Sequence, residues 1–241
     1  MSRFNTDTLS TMKKPTPEAV AIFAYVREYF RWERPVLEAA LPETDTVFEA
    51  GEDSVTFGFD KGTNLWDFYV GGYFNAARAL LEGPPDKFFL TFAIYPVLFL
   101  YRHFIELELK SLIMRTSEIL SIPHPDFGTD HDLLSLWNKL KQMLPTGHLA
   151  LQNEEHVERI LGQFCAIDPK SMDTRYGLRR DLKTSAVRNP VNISIPILRR
   201  TMDRLEAEFN VLEAVVDGIA KDERRRRERA SGEQQSPAPS V

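Results

Sequence analysis

Apolar residues recur at helical spacing along most of this chain. Between Leu65 and Leu81, the positions Trp66, Tyr69, Val70, Tyr73, Phe74, Ala77 and Leu80 define one face of a helix. The longest apolar run follows, FFLTFAIYPVLFLYRHFIELELKSLIM, from Phe88 to Met114. It reads as helix from about Lys87 to about Thr116, with Pro96 either kinking it or dividing it near Tyr95. Leu133, Leu134, Leu136, Trp137 and Leu140 mark a third helix, capped by Thr129 or Asp130. Val157, Ile160, Leu161 and Phe164 mark a fourth over 152–166, and Ile197, Met202, Leu205, Phe209, Leu212, Val215, Val216 and Ile219 a last one over 196–221. Gly71-Gly72, inside the first of these, is where two helices are expected to approach closely.

The N-terminal part is patterned differently. Residues 1–14 read as a flexible arm. Thr16-Pro17-Glu18 opens a helix carrying Val20, Phe23, Val26, Tyr29 and Phe30, which Pro35 ends or kinks. Within 43–63 the run SVTFGF alternates among glycines and predicts a strand, a hairpin or an irregular insertion near 47–60. The stretch from Asp168 to Pro196 mixes Pro, Gly and Ser with Arg175, Arg179, Arg180, Lys183 and Arg188, and reads as an extended loop, with or without a short hairpin. The end, 222–241, is rich in Arg, Glu, Ser and Pro and reads as a disordered tail. The expected fold is therefore an all-α bundle with one small β or irregular insertion. One domain spans 15–221, with its core in about 65–220.

Composition narrows the function classes. With 43% hydrophobic residues among 241, the chain is long enough for a substantial core. A formal net charge of -5 is not that of a protein whose whole surface binds nucleic acid, although a local basic patch fits within it. The single cysteine, Cys165, forms no internal disulfide, lies in an apolar helix end and belongs to no zinc spacing. This agrees with a reducing, cytoplasmic setting. The N-terminus has no hydrophobic signal-peptide core, and the run Phe88–Tyr101 is too short to cross a bilayer before Arg102 intervenes. No phosphate-binding glycine loop, nucleophile elbow or HExxH occurs, and His124, His148 and His156 share no ligand spacing; no metal or cofactor is expected.

Chemistry concentrates in the second half of the long apolar run. Arg102, His103, Glu106 and Lys110 interrupt it. On a helix, His103, Glu106 and Lys110 form a stripe, and Arg102 lies one turn before Glu106. Charges flanked by apolar residues must be paired when they are drawn into an interface. Arg102, Glu106 and Lys110 are thus candidates for a structural polar cluster.

YRHFIELELKSLI, a Pro/Gly loop, and then HDLLSLWNKL resemble the HEPN superfamily of helical bundles. The matching features are Arg102-His103, Glu106, Leu109-Lys110 and His131-Asp132-Leu133. Asp173-Thr174-Arg175-Tyr176 is similar to a short RY segment that follows the bundle in related sequences. The resemblance covers about 65–220 loosely and the central part more tightly. It implies an RNA- or nucleotide-associated module of a prokaryotic defence, toxin–antitoxin or regulatory system. It also implies a homodimer and a protein partner such as an antitoxin or nucleotidyltransferase. Arg175, Tyr176, Arg179, Arg180 and Lys183 would contact the nucleic acid.

The family's ribonucleases carry an arginine, a polar residue and then a histidine four to six positions beyond the arginine. Arg102 and His103 match the start, but Glu106, Leu107 and Glu108 occupy the place of the histidine. The enzymatic alternative is a metal-independent endoribonuclease toxin using Arg102, His103, Glu106 and His131. His131 would move the proton of the ribose 2'-hydroxyl and Arg102 would stabilise the phosphorane. The remaining alternative is a dimerisation scaffold that binds no nucleic acid.

Overall fold

The structure, a computed structural model, describes residues 65–82, 87–123, 125–127, 131–144, 154–168, 174 and 192–233. All fall in Phe59–Val241, one of two units into which the chain divides; the other, Met1–Gly58, lies outside the described residues. So do the expected arm, the helix after Thr16, the whole insertion near 47–60, and the basic residues from Arg175 to Arg188.

Among the described residues the fold is all-α, with five helices and no strand. They are α1 (Leu65–Glu82), α2 (Lys87–Leu120), α3 (Leu133–Met143), α4 (Glu154–Ile167) and α5 (Ile195–Glu233). The central element is α2. It packs against α1, α3 and α5, and α3 in turn packs against α4. Its Tyr101, Ile105, Leu109, Leu112 and Ile113 are wholly buried. They meet Phe74 and Ala77 of α1, Leu136, Trp137 and Leu140 of α3, Ile160 and Leu161 of α4, and Met202, Leu205, Phe209 and Leu212 of α5 in one core. A helix surrounded in this way needs apolar residues on nearly every side.

Pro96 does not divide α2, which runs through it as one helix of 34 residues. Proline costs a helix interior about 3 kcal/mol through the lost N–H and the clash with the preceding turn. The buried Ala93, Val97, Leu98 and Tyr101 on either side offset that cost. By length and composition α2 is, among the described residues, the one helix apolar enough to cross a membrane over Leu90–Leu120. A central bundle helix meets the same criterion, and 44% of that window is buried by the other elements.

Three local expectations are corrected. The N-cap of α3 is Asp132, not Thr129 or Asp130: its carboxylate accepts the Ser135 N–H at 2.9 Å. A Cβ on Gly71 or Gly72 would meet nothing within 4 Å, so among the described residues the pair mediates no close helix approach. The helix expected to stop at Lys221 continues to Glu233, into the stretch expected to be disordered. Arginine and glutamate are good helix formers. Arg226 pairs with Glu223 at 2.7 Å and Arg225 with Asp222 at 3.8 Å, each one turn apart. Arg227 reaches back to α2, donating to the Ile119 carbonyl at 3.1 Å and to the Ser121 hydroxyl at 3.0 Å.

Candidate functional site

Arg102, at the middle of α2, has an exposure of 0%, and each of its three guanidinium nitrogens has an acceptor. Nε donates to the backbone carbonyl of Asp168 at 2.9 Å, just past the end of α4. Nη2 donates to the backbone carbonyl of His131 at 2.6 Å, just before α3. Nη1 donates to Glu106 Oε2 at 3.2 Å, one turn along α2. The planar fork suits this task, because it points at three acceptors from one rigid group. A single buried cation thus joins the centre of α2 to the start of α3 and the end of α4.

Glu106 is the second node, with an exposure of 2%. Its Oε1 accepts from Lys110 Nζ at 2.8 Å and lies 2.8 Å from His131 Nδ1. Burial pushes the Glu106 carboxyl up, but the hydrogen bonds of Lys110 and His131, with their charges, more than reverse this and hold it below the usual carboxylate value. Lys110 Nζ also sits 5.6 Å from the centre of the Phe127 ring, and Lys139 Nζ 5.8 Å from the same ring. Two lysines therefore flank one aromatic side chain of the α2–α3 connection, each at a distance typical of cation–π attraction.

Asp168 closes the cluster on the α4 side. Its backbone N–H completes the end of α4 on Phe164 O at 2.9 Å. Its carboxylate, in a residue of 1% exposure, accepts from the Thr174 N–H at 3.1 Å and the Thr174 hydroxyl at 2.6 Å. The cations Arg102 and Lys110 are balanced by the anions Glu106 and Asp168, the condition under which buried charge is tolerated.

The expected site residues divide as follows. Arg102, Glu106, Lys110 and His131 come together. His131 meets Arg102 through its carbonyl and Glu106 through its ring, and its side chain is 43% exposed. His103 shares the stripe of Glu106 and Lys110 on α2, but its ring is engaged by aromatic neighbours instead. Its ring packs edge-on against Tyr73, centroids 4.4 Å apart, and stacks with Phe99 at 5.7 Å. Arg175, Tyr176, Arg179, Arg180 and Lys183 lie outside the described residues. Sequence reasoning missed Asp168. The signal available was a charged residue directly after an apolar-periodic helix and before Pro169. The two carbonyl acceptors carry no side-chain signature at all.

Chemically, the most exposed group of the cluster is the His131 imidazole, with a buried carboxylate on its Nδ1 side. Among the described residues no group of His, Cys, Asp and Glu is arranged to hold a metal ion. The chain matches no family model, no curated protein and no solved structure.

Proposed function

We propose that this chain is a HEPN-like helical module that associates with RNA or nucleotide without cleaving it. One observation carries the non-catalytic half of the reading. Arg102, the residue a ribonuclease would aim at the phosphorane, is wholly buried and engaged by two backbone carbonyls and Glu106. Oxyanion stabilisation needs donors directed at the place where charge develops, and these donors are directed inward. The association half is supported by the resemblance of the 102–133 and 173–176 segments to HEPN sequences and by the run of Arg175, Arg179, Arg180 and Lys183. A homodimer, an antitoxin or nucleotidyltransferase partner, a role in prokaryotic defence and a cytoplasmic location belong to the same proposal.

A second reading, the metal-independent ribonuclease, is favoured by one contact. Glu106 lies at His131 Nδ1, and the ring is half-exposed. A carboxylate on Nδ1 fixes the tautomer that leaves Nε2 as a proton acceptor, which is the arrangement general acid–base catalysis requires.

Incubating wild type, Arg102→Ala and His131→Ala with total RNA in EDTA separates the readings, with folding checked by thermal melts. Salt-sensitive RNA binding without cleavage is the expected result. Cleavage by wild type that is lost in folded His131→Ala would replace it with the enzyme reading. Neither binding nor cleavage would leave a helical scaffold.

A further inference from the structure

Among the described residues Ile219 is the last buried one of α5, yet the helix runs on to Glu233. From Lys221 to Arg229 it holds six cations, three carboxylates and no apolar residue, in a chain of net charge -5. Arg227 fixes how this segment is turned, because it donates to the Ile119 carbonyl and the Ser121 hydroxyl at the end of α2. With the helical step of about 100° per residue, Arg225 and Arg229 each lie about 160° round from Arg227, and Lys221 about 120°. The three therefore stand on the face turned away from α2, about 6 Å apart along the axis, and all are exposed. Among the described residues this stripe meets one carboxylate, that of Asp222, 3.8 Å from Arg225. Like charges four residues apart destabilise a helix. Packing does not call for them on this face, and their alignment suits an anion from outside the chain.

We propose that Lys221, Arg225 and Arg229 form a docking stripe for the phosphodiester backbone of double-stranded RNA. This rests on the RNA-associated reading above and adds to it a surface on α5. Two of the three cations are arginines, whose planar fork takes phosphate oxygens in pairs. An RNA duplex is recognised mostly by shape and by its phosphates and 2'-hydroxyls, which a straight row of cations follows without reading bases. Single strands are held by aromatic stacking as well as by cations, and no aromatic residue follows Phe209 in the chain. A lipid surface would call for an apolar face beside the cations, and Lys221 to Arg229 has none. The stripe is helical and anchored through Arg227 before any RNA arrives, which lowers the entropy that association costs.

The test uses the full-length protein and a short fluorescent RNA duplex, with anisotropy titrations at several salt concentrations. Three forms are compared: wild type, the double variant Arg225→Gln/Arg229→Gln, and a charge-matched control, Arg200→Gln/Arg204→Gln, at exposed positions near the other end of α5. Phosphate contacts set the salt slope, about 0.9 per phosphate for a duplex. The expected result is affinity about tenfold or more weaker in the stripe variant, with a slope lower by about two contacts, and a control within about twofold of wild type. Thermal melts should show the stripe variant at least as stable as wild type, since it relieves like-charge repulsion; this separates lost binding from lost fold. If both double variants weaken equally, net charge is the cause and the stripe is overturned. Equal loss on a single strand of the same sequence, or binding to phosphatidylserine vesicles in place of the duplex, overturns the duplex as partner. If wild type binds the duplex and the stripe variant matches it, or if wild type binds total RNA but not the duplex, the stripe alone falls while the RNA reading stands. If wild type binds neither, the RNA reading fails and the stripe fails with it.

Discussion

The guanidinium of Arg102 holds the backbone carbonyl of His131 at 2.6 Å, across 29 positions of sequence. A side chain bonded to a backbone carbonyl constrains where the chain runs, whatever side chain the acceptor residue bears. Arg102 does this twice, at His131 and at Asp168, and so fixes α3 and α4 relative to α2. Replacing it with alanine would leave Glu106 with less compensation and would remove the Arg102 donor from the carbonyls of Asp168 and His131. The expected cost of Arg102→Ala is about 3–5 kcal/mol, the range for breaking a buried ion pair by removing one partner. Arg102→Lys should recover little, because an ammonium cannot span three acceptors in a plane. Urea unfolding of the three proteins measures this. A loss under about 1 kcal/mol for Arg102→Ala would mean that the bundle does not depend on the cluster.

The Glu106 carboxyl gives the cluster a pH signature. Its folded value lies below its ordinary one of 4.5, because Lys110 and His131 together outweigh burial. The folded state therefore holds this proton less tightly than the unfolded chain. The resulting stability is fully present above about pH 4.5 and is lost as pH falls from there through the folded value. Glu106→Gln removes the titrating group. Melting temperatures followed from pH 7 to pH 3 should fall more steeply in wild type than in Glu106→Gln. Parallel curves would place the acid sensitivity elsewhere.

Tyr101, next to Arg102 but facing the α1 and α5 side, titrates at the other extreme. Its hydroxyl is buried, with no hydrogen-bond partner among the described residues. Burial, followed by the charge of Asp203, pushes its pKa up to about 12. The unfolded chain releases this proton near pH 10 and the folded protein near 12. The contribution is therefore complete below about pH 10 and is lost as pH rises through that interval. Tyr101→Phe should flatten the alkaline part of the stability curve. It should also match or exceed wild type at pH 7, since a buried hydroxyl without a partner costs about 1–3 kcal/mol. A marked loss of stability at pH 7 would reveal a partner for the hydroxyl.

The sequence made the helices legible because the physics that forms them is periodic. Leu133, Leu136, Trp137 and Leu140, and Val157, Ile160, Leu161 and Phe164, fall where a 3.6-residue repeat puts them, and all eight are buried. The Arg102–Glu106–Lys110 ladder was legible for the same reason, since its pairs lie four residues apart. The links to His131 and Asp168 were not, because backbone carbonyl acceptors leave no mark on residue identity. The 3–4 rule groups His103 with the stripe, although packing with Tyr73 and Phe99 claims its ring. The extension of α5 to Glu233 was hidden by a composition that reads as disorder, although the same residues satisfy each other at one-turn spacing once helical.

The end of α2 carries a strained residue whose repair is testable. Ser121 has a φ of 53°, in the left-handed region, at the position where a Schellman termination normally places glycine. Its N–H donates to Glu118 O at 3.2 Å, and the Ile122 N–H donates to Ser117 O at 2.9 Å, which closes the motif. The left-handed conformation costs a residue with a Cβ about 1–2 kcal/mol. Against this stands the exposed bond from Arg227 Nη2 to the Ser121 hydroxyl, 3.0 Å, of the kind that contributes about 0.5–1.5 kcal/mol at most. Arg227 keeps its second acceptor, the Ile119 carbonyl. Relief of strain therefore outweighs the lost bond, and Ser121→Gly should stabilise the protein by about 0.5–1 kcal/mol. Ser121→Ala loses the bond and keeps the strain, so it should be less stable than wild type. Thermal or urea unfolding ranks the three proteins. If glycine ranks below serine, the Arg227 contact is the stronger effect, and the extension of α5 is held to α2 mainly through Ser121.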